Sequence, residues 1–235
     1  MMKYKSILLK LSGESLAGAN KAGIDPEQLA SYAKQIKKIS EKGVEIAIVI
    51  GGGNIFRGLK ASAAGFDRVS GDSMGMLATV INSIALCARL EEEGCSSKLL
   101  TATKMAPIGE LYRAKKAKKF MSKGKVVIIA GGTGNPFFTT DTASALRACE
   151  LQVDVMLKGT RVDGIYDSDP EKNPDAKKFE NISYDEIYKR GLKVMDMTAT
   201  TMCKENDVKI AVFDMDTEGN LGKVVAGEAI GTVVS

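Results

Sequence analysis

The sequence contains no histidine and no tryptophan, and only 5 prolines and 4 cysteines among 235 residues. The missing histidine excludes the most. No Ser-His or Cys-His nucleophile, no imidazole base and no imidazole metal ligand can be built. Chemistry is left to lysine, arginine, carboxylates, hydroxyls and backbone amides. The cysteines, Cys87, Cys95, Cys149 and Cys203, are far apart and form no C-x-x-C pair. Cys87 and Cys149 fall in apolar helical patterns, so they read as buried thiols of a reducing compartment. Long hydrophobic runs are missing too. The apolar stretch near the N-terminus is broken by Lys10 and is too short for a secretory signal. No run reaches the roughly eighteen residues of a membrane span. A cytoplasmic protein is the expectation. Charge of one sign is scarce: a net +4 on a 26% charged chain is too weak to imply a nucleic-acid or other polyanionic partner by itself. Aromatics make up 6% against 44% hydrophobic residues, so the core must be aliphatic. Glycine is the residue in surplus, at 24.

Short β-rich runs recur at Ser6 to Leu9, Val44 to Ile50, Lys98 to Leu100, Val126 to Ala130, Val153 to Leu157 and Val208 to Phe213. Several are continuous rather than alternating, as in strands buried on both faces of a parallel sheet. Helical patterns lie between them. Asp25-Pro26-Glu27 offers an N-cap with proline at the first helical position, and Leu29, Tyr32, Ala33, Ile36 and Ile39 continue one stripe to Gly43. Ser183 to Glu186 has capping-box spacing. The alternation predicts an α/β fold, a three-layer αβα sandwich with a mainly parallel central sheet. Residues 1–235 read as a single domain, with ligands at the carboxyl ends of the strands. Ser73 to Ala88 carries no charge and is apolar all round. Such a helix is expected to be buried, either in the core or against another subunit.

Four loops follow strands. No G-x-x-x-x-G-K-[ST] occurs, and no loop completes G-x-G-x-x-G, so P-loop and Rossmann sites lose their support. In Lys10-Leu11-Ser12-Gly13-Glu14 a lysine interrupts an apolar strand, which is costly unless its ammonium reaches water or an anion. The Ser-Gly that follows frees amides to approach phosphate oxygens. Gly51-Gly52-Gly53-Asn54-Ile55-Phe56-Arg57-Gly58 removes successive side chains, so a phosphate can lie against main-chain N–H groups, and Arg57 adds a fork of donors. In Gly131 to Asp141, Phe137 and Phe138 call for an apolar surface to cover, and Thr139 or Thr140 can cap a helix beginning at Asp141. Lys158 ends a strand as Lys10 does. Asp163-Gly164 then signals a hairpin-like flap that runs on through Tyr166 to Pro170. Two strand-end lysines beside glycine loops suit phosphoryl transfer without histidine, which needs charge neutralisation and in-line positioning.

The blocks Lys10 to Glu14, Gly51 to Gly58, Gly71 to Thr79, Gly132 to Asp141 and Asp163 to Tyr166, taken in order, resemble the amino acid kinase family, in its branch of bacterial UMP kinases. The resemblance implies transfer of the γ-phosphoryl group of Mg-ATP to UMP, giving UDP in de novo pyrimidine synthesis. It assigns Lys10, Leu11, Ser12, Gly13, Gly53 and Arg57 to the ATP phosphates, and Thr160, Tyr166 and Asp169 to the adenine nucleoside. Gly52, Asp72, Thr133, Gly134, Asn135, Pro136, Phe137, Phe138, Thr139 and Thr140 would hold UMP. Lys10 and Lys158 would stabilise the phosphoryl group in flight. Asp141 and Asp196 would organise the lysines or Mg²⁺, with Asp196 equally readable as a helix N-cap. Mg²⁺ would enter on the nucleotide phosphates, with no ligand assigned on the protein, and the assembly would be a hexamer built from dimers. Where relatives carry an aromatic in a loop linked to GTP activation, this chain has Ala22. The alternatives are a family member that phosphorylates a carboxylate or carbamate, or a non-catalytic anion-binding member of the fold.

Overall fold

Along the first strand, β1 (Ser6–Leu11), neighbouring side chains enter different cores. Ile7, Leu9 and Leu11 join one apolar cluster and Leu8 joins another. Continuous apolar runs thus hide a period of two, and helices cover both faces of the sheet. The computed structural model describes residues 2–20, 22–56, 65–170 and 172–235. After β1 come α1 (Gly13–Leu16), α2 (Pro26–Ser40), β2 (Glu45–Ile50), α3 (Arg68–Glu92), β3 (Ser97–Thr101) and β4 (Glu110–Leu111). Then follow α4 (Ala114–Met121), β5 (Val126–Ala130), α5 (Thr140–Leu151), β6 (Val155–Thr160), β7 (Ile165–Tyr166), β8 (Lys178–Phe179) and β9 (Asn181–Ile182). The chain closes with α6 (Tyr184–Arg190), α7 (Met197–Glu205), β10 (Ile210–Asp214), α8 (Asn220–Ala226) and β11 (Thr232–Val234).

The nine-stranded sheet has the order β4-β3-β5-β2-β1-β6-β10-β11-β9, and β10–β11 is its antiparallel pair. Helices α2, α3 and α8 pack on one face, and α4, α5, α6 and α7 on the other. The predicted three-layer sandwich is what forms. Asp25 caps α2 by accepting from the amides of Glu27 and Gln28, with Pro26 at the first position. Ser183 caps α6 through the amide of Glu186.

Several expectations need correction. The strand expected from Val153 begins at Val155, because the Asp154 carboxylate turns to accept the amides of Lys5 and Ser6. The strand expected from Val208 begins at Ile210, just after Asp207 with φ 53°. Asp163-Gly164 does not form the flap's hairpin turn; it precedes β7, which pairs with β8 across residues 167–177. Glycine is needed at 164 for close approach instead: a Cβ there would lie 2.7 Å from Thr232 Oγ1. Within the chain helix α3 buries one face, so burial all round in the core is not what forms. Its inner face carries Ala78, Thr79, Asn82, Ser83 and Leu86, but Leu77, Ile81 and Ile84 are 51%, 50% and 43% exposed. By length and composition α3 is apolar enough to cross a membrane, which counting uninterrupted runs did not reveal; its inner face packs on α2, β3 and β5.

Candidate active site

Register brings the two lysines together. β1 and β6 are parallel neighbours in which Lys10 pairs with Lys158, so both side chains leave the sheet on one face. That face is covered by α5, whose small buried residues Ala143, Ser144, Ala145 and Ala148 let it approach the strands closely. Thr139 caps the helix, and Asp141 sits in its first turn. The Asp141 carboxylate then lies between two ammonium groups, 3.0 Å from Lys10 Nζ and 3.0 Å from Lys158 Nζ. Lys158 also donates to the Val194 carbonyl at 2.5 Å.

Burial alone would raise the Asp141 pKa, but the charges of Lys10 and Lys158 outweigh it and hold the carboxyl below the ordinary range. Burial lowers the Lys158 pKa, and the Lys10 charge adds to this. Asp141 opposes both without fully restoring the ordinary value. The carboxylate's stabilising contribution is therefore complete above about pH 4, its unfolded value, and is lost as pH falls through the folded one. Two positive heads against one negative leave the cluster with a net positive charge, beside the positive end of a helix dipole. It can receive an anion whose charge grows during reaction.

The first two glycine loops are fitted to each other. Ser12 caps α1 by accepting from the Glu14 amide, and a Cβ on Gly13 would meet the Gly51 carbonyl at 2.5 Å. A Cβ on Gly52 would meet Ala78 of α3 at 2.8 Å. Glycine at both positions is therefore a packing requirement. Beneath the loops, Asn82 donates to the Gly51 carbonyl at 2.7 Å, and Asn54 donates to the Gly23 carbonyl at 2.6 Å. The two amides also bond each other. Arg57 lies outside the described residues.

The third loop, between β5 and α5, borders a cavity of about 500 Å³. Gly52, Asp72, Thr133, Asn135, Phe138, Thr139 and Thr140 line it, together with Gly53, which the resemblance assigns to the other nucleotide. Gly134, Pro136 and Phe137 do not line it. Phe137 and Phe138 are 62% and 50% exposed, so neither ring covers an apolar surface of the core. Phe137 adopts φ 72°, and its amide donates to Asp72 Oδ2 at 2.7 Å. Asp72 Oδ2 also accepts from Arg68 Nε at 2.7 Å, so this carboxylate ties loop to helix as well as facing the cavity. Ser73, next to it, bonds back to the Val69 carbonyl. Asp196 caps α7 through the Ala199 amide, and it also accepts from the hydroxyls of Thr139 and Thr142. It is a cap that also holds the foot of the third loop.

A second cavity, of about 580 Å³, lies under the flap and is lined by Lys158, Thr160, Tyr166, Asp169, Gly191 and Val212 among others. Thr160 accepts from the Val162 amide and Tyr166 donates to Asp163, so the flap is braced from within. Among the described residues no group of three or more His, Cys, Asp or Glu side chains could hold a metal. Asp141 and Asp196 are engaged by ammonium, amide and hydroxyl donors. Asn54, Asn82, Thr79 and Arg147, all buried, also support these loops, and sequence reasoning missed them.

A sheet with glycine loops at the ends of its parallel strands, and paired lysines facing one helix, is the frame of an α/β phosphotransferase. Residues 5–214 match the amino acid kinase family, and the chain belongs to it. It is 66% identical to the uridylate kinase of Bacteroides thetaiotaomicron over 100% of this chain and 99% of that protein. Its fold is similar to the crystal structure of UMP kinase from Bacillus anthracis, with a TM-score of 0.96 and 35% identity, covering 99% of this chain and 96% of the other. The UMP kinase of Ureaplasma parvum aligns over 100% of both chains with a TM-score of 0.94 and 39% identity.

The cluster makes a direct prediction. With Asp141→Asn, burial and Lys10 continue to lower the Lys158 pKa while the opposing charge is gone. Titration of ¹³Cε-labelled lysine by NMR should place Lys158 below the ordinary value of about 10.4, and lower still in the variant. An unmoved or higher value in Asp141→Asn would show that Asp141 does not hold the Lys158 charge.

Proposed function

We propose that the chain is a UMP kinase that transfers the γ-phosphoryl group of ATP to UMP, giving UDP and ADP for pyrimidine nucleotide synthesis. The observation that carries this reading is one cationic cluster serving two nucleotide-sized cavities. Lys158 lines the cavity under the flap, and Thr140, next to Asp141, lines the other. The full-length match to uridylate kinases supports the acceptor.

In this reading ATP lies under the flap, its nucleoside against Thr160, Tyr166 and Asp169. Its phosphates meet the main chain of Lys10 to Gly13 and of Gly53, with Arg57 added. Leu11 is 1% exposed, so it serves through its backbone. UMP lies in the other cavity, with Asp72 and Gly52 on one side and the loop Thr133 to Thr140 on the other. The Lys10 and Lys158 ammonium groups neutralise the three equatorial oxygens of the phosphoryl group as it passes between donor and acceptor. Asp141 fixes both heads, so little reorganisation is needed as charge develops. Mg²⁺ arriving with ATP supplies further neutralisation of the phosphate oxygens.

The protein works in the cytoplasm as a homo-oligomer, a hexamer by family resemblance. Leu77, Ile81 and Ile84 of α3 support assembly: three large apolar side chains, each at least 43% exposed, on one stripe of an uncharged stretch. One stripe can pair with its own copy about a two-fold axis. Sedimentation should find a multimer at micromolar concentration, and Ile81→Glu should dissociate it. A monomeric, active wild type would remove the interface.

Base choice tests the function itself. Uracil presents an N3–H between two carbonyls, whereas cytosine presents an amine and an unprotonated N3, so fixed groups of the loop cannot satisfy both. Sites built on such bonds discriminate by roughly 10⁴-fold. ADP release should therefore depend on UMP, with CMP a very poor acceptor and dUMP intermediate because it lacks only the hydroxyl offered to Asp72. Comparable kcat/KM for UMP and CMP, or turnover with glutamate, aspartate or carbamate instead, would contradict the assignment.

A further inference from the structure

We propose that Arg147 is a positioning residue for the acceptor site: it fixes the Gly132–Thr133 peptide so that the Thr133 N–H is presented to the bound pyrimidine nucleoside monophosphate. The inference rests on the UMP kinase reading. Arg147 lies on α5, two turns beyond Thr140, and is only 5% exposed. A guanidinium is costly to bury, and an aliphatic side chain would fill the space at lower cost. What an aliphatic residue lacks is a donor, and Arg147 uses its donors in two directions. Nη1 donates to Glu150 Oε2 at 2.8 Å, and Nη2 donates to the Gly132 carbonyl at 3.2 Å. The guanidinium plane lies over the Tyr112 ring at 4.2 Å, and the Tyr112 hydroxyl donates to the same Glu150 oxygen at 2.8 Å. Stack and carboxylate set the position of the plane, and the plane sets the position of the carbonyl.

The Gly132 carbonyl needs such a partner. Gly131, Gly132 and Gly134 adopt φ of 82°, 60° and 85°, so this stretch has little intrinsic preference to hold it. Neighbouring anchors lie on either side: the Gly131 amide donates to Thr79 Oγ1 at 2.8 Å, and the Phe137 amide to Asp72. Arg147 acts between them. A trans peptide is planar, with C=O and N–H pointing opposite ways. Drawing the Gly132 carbonyl toward Arg147 therefore turns the Thr133 N–H away from it. Gly132 and Thr133 both line the acceptor cavity. The peptide thus offers the nucleotide a donor, and rotating it would offer a carbonyl oxygen instead, which repels uracil's carbonyls and the phosphate alike.

Arg147→Lys keeps the charge but cannot bond in two directions and stack at once. We expect KM and Kd for UMP to rise about tenfold or more in Arg147→Lys, with KM for ATP unchanged and UMP-over-CMP discrimination narrowed. A general loosening of the fold would move both nucleotides' constants together, and that result overturns the inference, as does an unchanged UMP constant. Should Arg147→Lys fail to fold, Tyr112→Leu, which removes the surface under the guanidinium, must shift the UMP constant in the same direction, and its failure to do so overturns the inference. Wild-type protein without UMP-dependent turnover would overturn the kinase reading and this inference with it. Wild-type turnover with unmoved variants overturns this inference alone.

Discussion

One carboxylate between two ammonium groups sets the terms for the rest of this site. Lys10 and Lys158 stand in register on neighbouring parallel strands, and without Asp141 their charges would repel across a poorly solvated space. Asp141 can reach both only because α5 packs close to the sheet on alanine and serine. It can stay ionised only because both lysines face it. The cost of burying three charges is offset by their mutual attraction, and what remains is a net positive charge with fixed geometry. Preorganised charge of this kind can stabilise a phosphoryl group in transit without moving.

Helix α5 links the two halves of the site. Its first turn carries Asp141, its cap Thr139 shares Asp196 with Thr142, and its buried Arg147 holds the Gly132 carbonyl. A shift of this helix would disturb the cationic cluster and the third loop together. Helix α3 performs a similar service on the other side. Thr79, Asn82 and Asp72 bond to the third loop, the second loop and the Phe137 amide respectively. The glycine loops therefore owe their shape to polar side chains on two helices more than to their own sequences.

That division explains what the sequence could and could not reveal. Lys10 and Lys158 were legible because a lysine in an apolar strand has few places to put its charge. The layered fold was legible because strand and helix patterns alternate and caps such as Asp25 and Ser183 mark the boundaries. Arg147, Asn54 and Asn82 were not, since a buried polar residue looks like any other helix or loop residue until its partner on a distant element is known. β11 escaped notice because a strand of three residues carries too little periodicity. The exposed Phe137 and Phe138 reversed an expectation based on hydrophobicity alone; in the fold, Phe138 lines a cavity and Phe137 is tied by its amide to Asp72 and by its ring to Arg68.

The most direct test of the account is the rate of phosphoryl transfer in a single turnover, measured by rapid quench with saturating UMP. Lys10→Ala and Lys158→Ala should each lower that rate by roughly 10²-fold or more while leaving the fold intact. The double variant should lose much less than the product of the two, because the lysines act with Asp141 as one unit. A wild-type rate in either single variant, in folded protein, would contradict the claim that the two lysines and Asp141 form the catalytic centre.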